Sequence, residues 1–202
     1  MKLCAAFSVV LVTFTFGCNS GPKRIDPNSD EHVVSMNVDY PEIVEWSETL
    51  TQRMLSDGFL DRPDYPHPVR MVVSTVENKT NISDFPKESM LGRIRAKLRN
   101  SGKVVYVSTY GSDATDAMAG QTQELKDDDR FDTKQLPKTG QWGVARLSLR
   151  TQVLYQGARA NDQRQNTYEV RMFVSDVQSG EVVWEGFSEP IAKKSSKPGI
   201  GW

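Results

Sequence analysis

Few residues in this chain could make or break bonds, and their placement limits what they can do. Cys4 and Cys18 are the only cysteines, and His32 and His67 the only histidines. His67 is locked between Pro66 and Pro68, and His32 follows a stretch of Gly, Pro, Ser, Asn and charges. Two histidines so placed remove most Ser-His-Asp, Cys-His and His-ligated metal designs. The one carboxylate cluster is "DDDRFD", Asp127 to Asp132. A Ca²⁺ loop needs spaced oxygens and a turn glycine; these acids are contiguous, so the run reads as a solvated loop. Gly111 follows an apolar stretch, but one glycine is no dinucleotide fingerprint. The residues imply no enzyme, no cofactor and no metal.

Cys18 has a different context. Met1-Lys2 is a short positive start, and Leu3 to Phe16 carries no charge. That run is shorter than the roughly 20 residues a helix needs to span a bilayer. A charged start, a short apolar run and a small residue mark an export signal. Gly17-Cys18 resembles the end of a bacterial lipoprotein signal, in which the cysteine is lipidated and becomes the new N-terminus. Thr15 and Phe16 stand where such signals usually carry Leu and a small residue. More than one acyl chain makes a stable anchor. In such lipoproteins the residue after the cysteine directs sorting, and Asn19 is not the aspartate of inner-membrane retention, so the resemblance implies the outer membrane.

Removing residues 1–17 takes only Lys2 from the 25 basic side chains, leaving 24 against 26 acidic and a net charge of about −2. Near balance argues against a nucleic-acid partner. The remaining length is one domain.

The elements follow from periodicity. Residues 18–37 are too polar to bury a core and read as a flexible tether spanning roughly 25 Å, with a limit of about 60 Å. Asp39 and Pro41 start a helix whose inner face is Ile43, Trp46, Leu50 and Met54, ending at Gly58. Val69 to Val76 is a buried strand. A second helix, capped by Ser83 or Asp84, turns Met90, Leu91, Ile94 and Leu98 inward and stops at Asn100-Ser101-Gly102. The strand "VVYVSTY" follows, then a thin amphipathic helix from about Asp113 to Lys126. Thereafter the period becomes two: Ala145 to Tyr155 and Tyr168 to Val174 alternate as strands with one wet face. "QGARANDQRQN" between them reads as a mobile hairpin loop, "EVVWEGFSE" as the partner strand, and residues 191–202 as a loose basic tail. The sum is an α+β domain over residues 38–190: four or five mostly antiparallel strands with two or three helices on one face.

One charged surface stands out. Arg93, Arg95, Lys97 and Arg99 share a helix with few acids nearby, and the pairs one turn apart repel. Arg146 and Arg150 line the wet face of a strand. Both sets are candidate docking patches for an acidic partner surface.

The stretch "VVSTVENKTNISDFPKESMLGRIRAKLRNSGKVVYV", Val72 to Val107, resembles the LpoB-type penicillin-binding protein activators, most specifically in Asn78-Lys79-Thr80 and Ser101-Gly102-Lys103. "YEVRMFVSDVQSGEVVWEG", Tyr168 to Gly186, resembles the family's closing hairpin, which TolB-like and curli-secretion lipoproteins share. The resemblance implies a fold like the TolB N-terminal domain. It also implies a non-catalytic outer-membrane lipoprotein that docks on and stimulates a bifunctional penicillin-binding protein. The tether here is shorter than the proline-rich tether of the best-studied members. The alternative is a component of another envelope assembly or secretion system.

Overall fold

The computed structural model describes residues 23–108, 121, 130, 134, 143–160 and 163–196. Both cysteines, most of "DDDRFD" and nearly all of the expected third helix lie outside them. Two units emerge, Met1–His32 and Val33–Trp202. In the first, Asp26 closes a tight turn, accepting from the Asn28 N–H at 2.9 Å through its carboxylate. His32 meets the Ser29 carbonyl at 2.7 Å through its imidazole.

The second unit is the domain. Helix α1 spans Tyr40–Ser56. Asp39 and Glu42 form a capping box, and the Glu42 carboxylate accepts the Asp39 N–H at 2.7 Å. Ile43, Trp46, Leu50 and Met54 are buried on one face, as their spacing predicts. Gly58 takes φ 85° just beyond the end, where other residues are strained.

Strand β1 is Val69–Lys79, helix α2 Lys87–Asn100 and strand β2 Val104–Val107. Within β1 the inward residues are Val69, Met71 and Val73, then Val76. The parity changes because Val73 to Val76 opposes only Leu149 to Thr151 on the neighbouring strand. One extra residue makes a bulge and re-aims the strand. The turn after β1 is tied by Asn78, whose carbonyl oxygen accepts from the Thr80 N–H at 2.9 Å and whose amide donates to the Ile82 carbonyl at 2.6 Å. Helix α2 buries Met90, Leu91, Ile94 and Leu98. Its N-cap is Pro86 rather than Ser83 or Asp84. Ser101 ends it, donating through its hydroxyl to the Leu98 carbonyl at 2.6 Å, and Gly102 turns the chain at φ 70°.

Strands β3 (Leu147–Ala160), β4 (Gln163–Asp176), β5 (Val182–Phe187) and β6 (Ile191–Ser196) complete a six-stranded mixed sheet. The order is β2-β1-β3-β4-β5, with β6 also on β4. β1 runs parallel to β2 and β3, while β4 is antiparallel to β3, β5 and β6. The fold is α+β, and the helices cover one face, where Leu147, Leu149, Val153, Tyr168, Val170, Met172 and Val174 join the helical residues in one core.

Two segments differ from the sequence reading. The expected mobile loop between β3 and β4 is largely paired, Gln156 with Thr167 through Ala160 with Gln163, because Thr, Gln and Arg fit a two-sided solvated ladder as well as a loop. The expected loose tail is strand β6 through Ser196. β5 and β6 form one edge along β4, broken at Pro190, which has no N–H for the ladder. Ser188 bridges the break: its N–H donates to the Val170 carbonyl at 2.8 Å and its hydroxyl accepts from the Val170 N–H at 3.0 Å.

Candidate docking surface

The basic residues of α2 divide by direction. Arg93 donates to the Tyr40 hydroxyl at 2.5 Å, lies over that ring and meets Glu48 at 3.6 Å. Arg95 turns toward the sheet, donating to the Val73 carbonyl at 3.2 Å, with its guanidinium carbon 5.9 Å from the centre of the Tyr106 ring. It braces α2 against β1 and β2. Lys97 lines a 510 Å³ cleft between the ends of the two helices, with Gln52, Ser56, Asn100 and Lys103. Arg99 is exposed beside a hollow at the sheet edge, with Val105, Tyr106 and Ser108. Of these four cations, Lys97 and Arg99 are the two that face a cleft and solvent.

Arg146 and Arg150 also separate. Arg146 pairs with the buried Asp176 at 2.8 Å, lies over Tyr65 and donates to Gln178. Burial pushes the Asp176 carboxyl up, but the Gln178 N–H, Arg146 and the Ser179 N–H outweigh it, and the net shift is downward. Burial, in contrast, raises the neighbouring Tyr65 phenol. Arg146 is thus part of the sheet's end and is not on the open face. Arg150 remains exposed there.

Around Arg150 the open face carries an ordered row, Glu77, Gln152, Arg171 and Phe187, from adjacent positions on β1, β3, β4 and β5. Gln152 donates to Glu77 at 2.5 Å. That bond lowers the Glu77 pKa; burial opposes it, while the charges of Lys79 and Arg150 add to it. Arg171 pairs with Glu185 and lies over Phe173 at 5.0 Å and Phe187 at 5.9 Å. Arginine with aromatic rings on a half-exposed face is the composition of interface hot spots. Sequence reasoning missed Arg171, Phe173 and Phe187; their outward parity on β4 and β5 was the available signal.

A second cluster was also missed. Lys193 is buried on β6, with its ammonium 2.5 Å from Asp39, 2.8 Å from Glu42 and 2.6 Å from the Asn37 carbonyl. Burial raises the Asp39 carboxyl, but Lys193 and Ser35 outweigh it and lower it overall. Burial likewise raises the Tyr168 phenol on the adjoining strand. Among the described residues no group of three His, Cys, Asp or Glu is placed to hold a metal, and no helix is long and apolar enough to cross a membrane.

The second unit is a two-layer α+β domain with charged and aromatic groups on its open surfaces. The chain belongs to a known family of this kind: residues 42–189, from the first turn of α1 to the β5–β6 break, match the model described as peptidoglycan-synthase activator LpoB. Among solved structures it is similar to the LpoB C-terminal domain from Escherichia coli, at 20% identity over 74% of this chain and 99% of that one, with a TM-score of 0.43. The LpoB C-terminal domain from Salmonella enterica matches at 19% identity over 70% of this chain and 94% of that one, with a TM-score of 0.41. The lipoprotein GNA1162 from Neisseria meningitidis matches at 15% identity over 64% and 85%, with a TM-score of 0.35. No curated protein matches the sequence.

Proposed function

We propose that this chain is a periplasmic lipoprotein, anchored in the outer membrane through Cys18, that docks on a bifunctional penicillin-binding protein and stimulates its glycan polymerisation. The observation that carries this reading is the match to the peptidoglycan-synthase activator family across residues 42–189. The Gly17-Cys18 junction after an uncharged run supports the anchor. The role is non-catalytic: an activator shifts a synthase toward its active state only by binding that state more tightly, and a coupling of about 1–3 kcal/mol gives roughly 5–150-fold. The part of the proposed tether ahead of the segment held on β4 and β6, residues 18–34, reaches at most about 60 Å, so the partner must bring its docking module near the anchoring leaflet. The test mixes the purified full chain with the organism's own bifunctional synthases and follows lipid II consumption. A faster rate that depends on added chain supports the reading. An unchanged rate and no binding with every such synthase overturns it and leaves a lipoprotein of another envelope assembly.

A further inference from the structure

The segment just ahead of α1, and one of the groups that hold it, lie outside the family match. Met36, Asn37 and Asp39 precede the matched span and Lys193 follows it. The Met36 carbonyl accepts two hydrogen bonds from β4, one from the Asn166 amide at 2.9 Å and one from the Tyr168 hydroxyl at 3.1 Å. The Asn37 carbonyl accepts from the Lys193 ammonium at 2.6 Å. The same ammonium reaches the Asp39 and Glu42 carboxylates. All three donors are buried: Asn166 is 1%, Tyr168 0% and Lys193 8% exposed. Tyr155 adds a further bond by donating to the Asn166 carbonyl oxygen at 3.2 Å. Buried amide, phenol and ammonium groups are costly unless bonded, and here their partners include two backbone carbonyls of a segment whose composition alone gives it no fold.

We propose that Asn166, Tyr168 and Lys193 form a clamp that captures Ser35–Asp39, so that a load on the upstream chain is borne by β4 and β6 and not by the first turn of α1. The name tether for that upstream chain rests on the lipid-anchor reading; the clamp does not. Its position makes it a reserve of length. Opened, the five residues Ser35–Asp39 span at most roughly 17 Å at about 3.3–3.6 Å each, and the reach gained is that span less what the held segment already covers. Opening also removes the Asp39 cap and leaves the Lys193 charge buried among groups that no longer face it, so the clamp and the start of α1 yield together. This gives the otherwise unexplained β6 a purpose: it carries the lysine that closes the clamp.

Three amides inside the clamp are built-in reporters. The Ser35 N–H donates to Asp39, the Asn37 N–H to Ser35 and the Asp39 N–H to Glu42. Hydrogen exchange on the full chain, read by mass spectrometry on peptides covering residues 33–43, tests the idea. In the unaltered chain these amides exchange at least tenfold more slowly than the unstructured rate. Lys193→Met raises their exchange tenfold or more while peptides from β1 and α2 keep their protection. Tyr168→Phe, which deletes one bond and keeps the ring, raises it by a smaller factor and serves where Lys193→Met loses protection throughout. Unstructured rates at 35–39 in the unaltered chain, or no change in either variant, overturns the clamp. No synthase is present in this measurement, so its failure leaves the activator reading standing, and failure of that reading leaves the clamp standing.

Discussion

The Arg146 guanidinium sits 2.8 Å from the Asp176 carboxylate, 30 residues further along the chain, where the end of β4 turns toward β5. Asp176 also organises that turn, accepting from the Gln178 N–H at 2.8 Å, while Gly180 adopts φ 76°. The Asp176 side chain is 5% exposed and that of Arg146 23%. Deleting one member of a buried pair leaves the other charge without compensation, at a cost of about 3–5 kcal/mol when both are fully buried. Arg146→Ala is therefore expected to cost about 2–3 kcal/mol, the lower value reflecting the partly solvated arginine. At roughly 2–4 °C per kcal/mol for a domain of this size, the melting temperature should fall by about 5–10 °C. A shift below 2 °C would show that the pair is dispensable to the fold.

Acid should weaken the domain through two identified carboxylates. Asp39 and Asp176 both titrate below the usual aspartate value, because Lys193 and Ser35 in one case, and Gln178, Arg146 and Ser179 in the other, outweigh the upward push of burial. A carboxyl whose folded pKa lies below its unfolded value of about 3.9 stabilises the fold above that value. The contribution is lost as pH falls through the folded pKa. The melting temperature should thus be nearly flat from pH 7 to 5 as far as these groups are concerned and drop below about pH 4. Asp39→Asn should lower it at pH 7 and shrink the acid drop. An equal drop in that variant would assign acid sensitivity elsewhere.

Trp46 tests the core. It is 3% exposed on α1, in the cluster that includes Leu50, Met54 and Trp184. Trp46→Ala should destabilise by about 3–5 kcal/mol through lost burial and the cavity left behind, measured by denaturant melts with an unchanged slope. A variant within 1 kcal/mol of the parent would mean that α1 does not pack on the sheet as described.

What the sequence disclosed follows from how locally each feature is encoded. α1 was legible because its cap, its early proline and its apolar face lie within one helix and share one period. β3 and β4 were legible where one face is apolar, up to Tyr155 and from Tyr168, and illegible beyond, where both faces are polar and only cross-strand pairing defines them. β6 was hidden because "AKK" reads as solvated tail; nothing local marks Lys193 as inward when its partners, Asp39 and Glu42, lie some 150 residues earlier. The basic helix was found, but Arg95 and Arg99, one turn apart on the same side, meet different surroundings: Arg95 reaches the Val73 carbonyl of β1 while Arg99, at the helix end, stays in solvent. Direction was in the spacing; what each side packs against was not.

The docking question can now be put to fewer residues. Of the six cations marked from sequence, Arg93, Arg95 and Arg146 already serve the fold, through Tyr40 and Glu48, the Val73 carbonyl, and Asp176 respectively. Arg95→Glu would place a carboxylate against a backbone carbonyl and is expected to destabilise the domain, which makes it unsuitable as a binding probe. Lys97, Arg99 and Arg150 are the useful ones. Lys97→Glu with Arg99→Glu reverses the charge at the helix end beside β2. Arg150→Glu reverses it on the open sheet face beside Phe173, in the next cross-strand row to Arg171 and Phe187. Charges at an interface rim act mainly on association rate and salt dependence, whereas groups at a desolvated centre act on dissociation and cost more. If the open face docks, Arg150→Glu slows association at low salt, Phe187→Ala speeds dissociation by tenfold or more, and the helix-end pair changes neither. If the helix end docks, the pattern inverts. Surface-plasmon binding to the purified synthase at two salt concentrations, with melting temperatures held within 2 °C of the parent, distinguishes the two. Unchanged kinetics in all three variants would place the contact on a third surface.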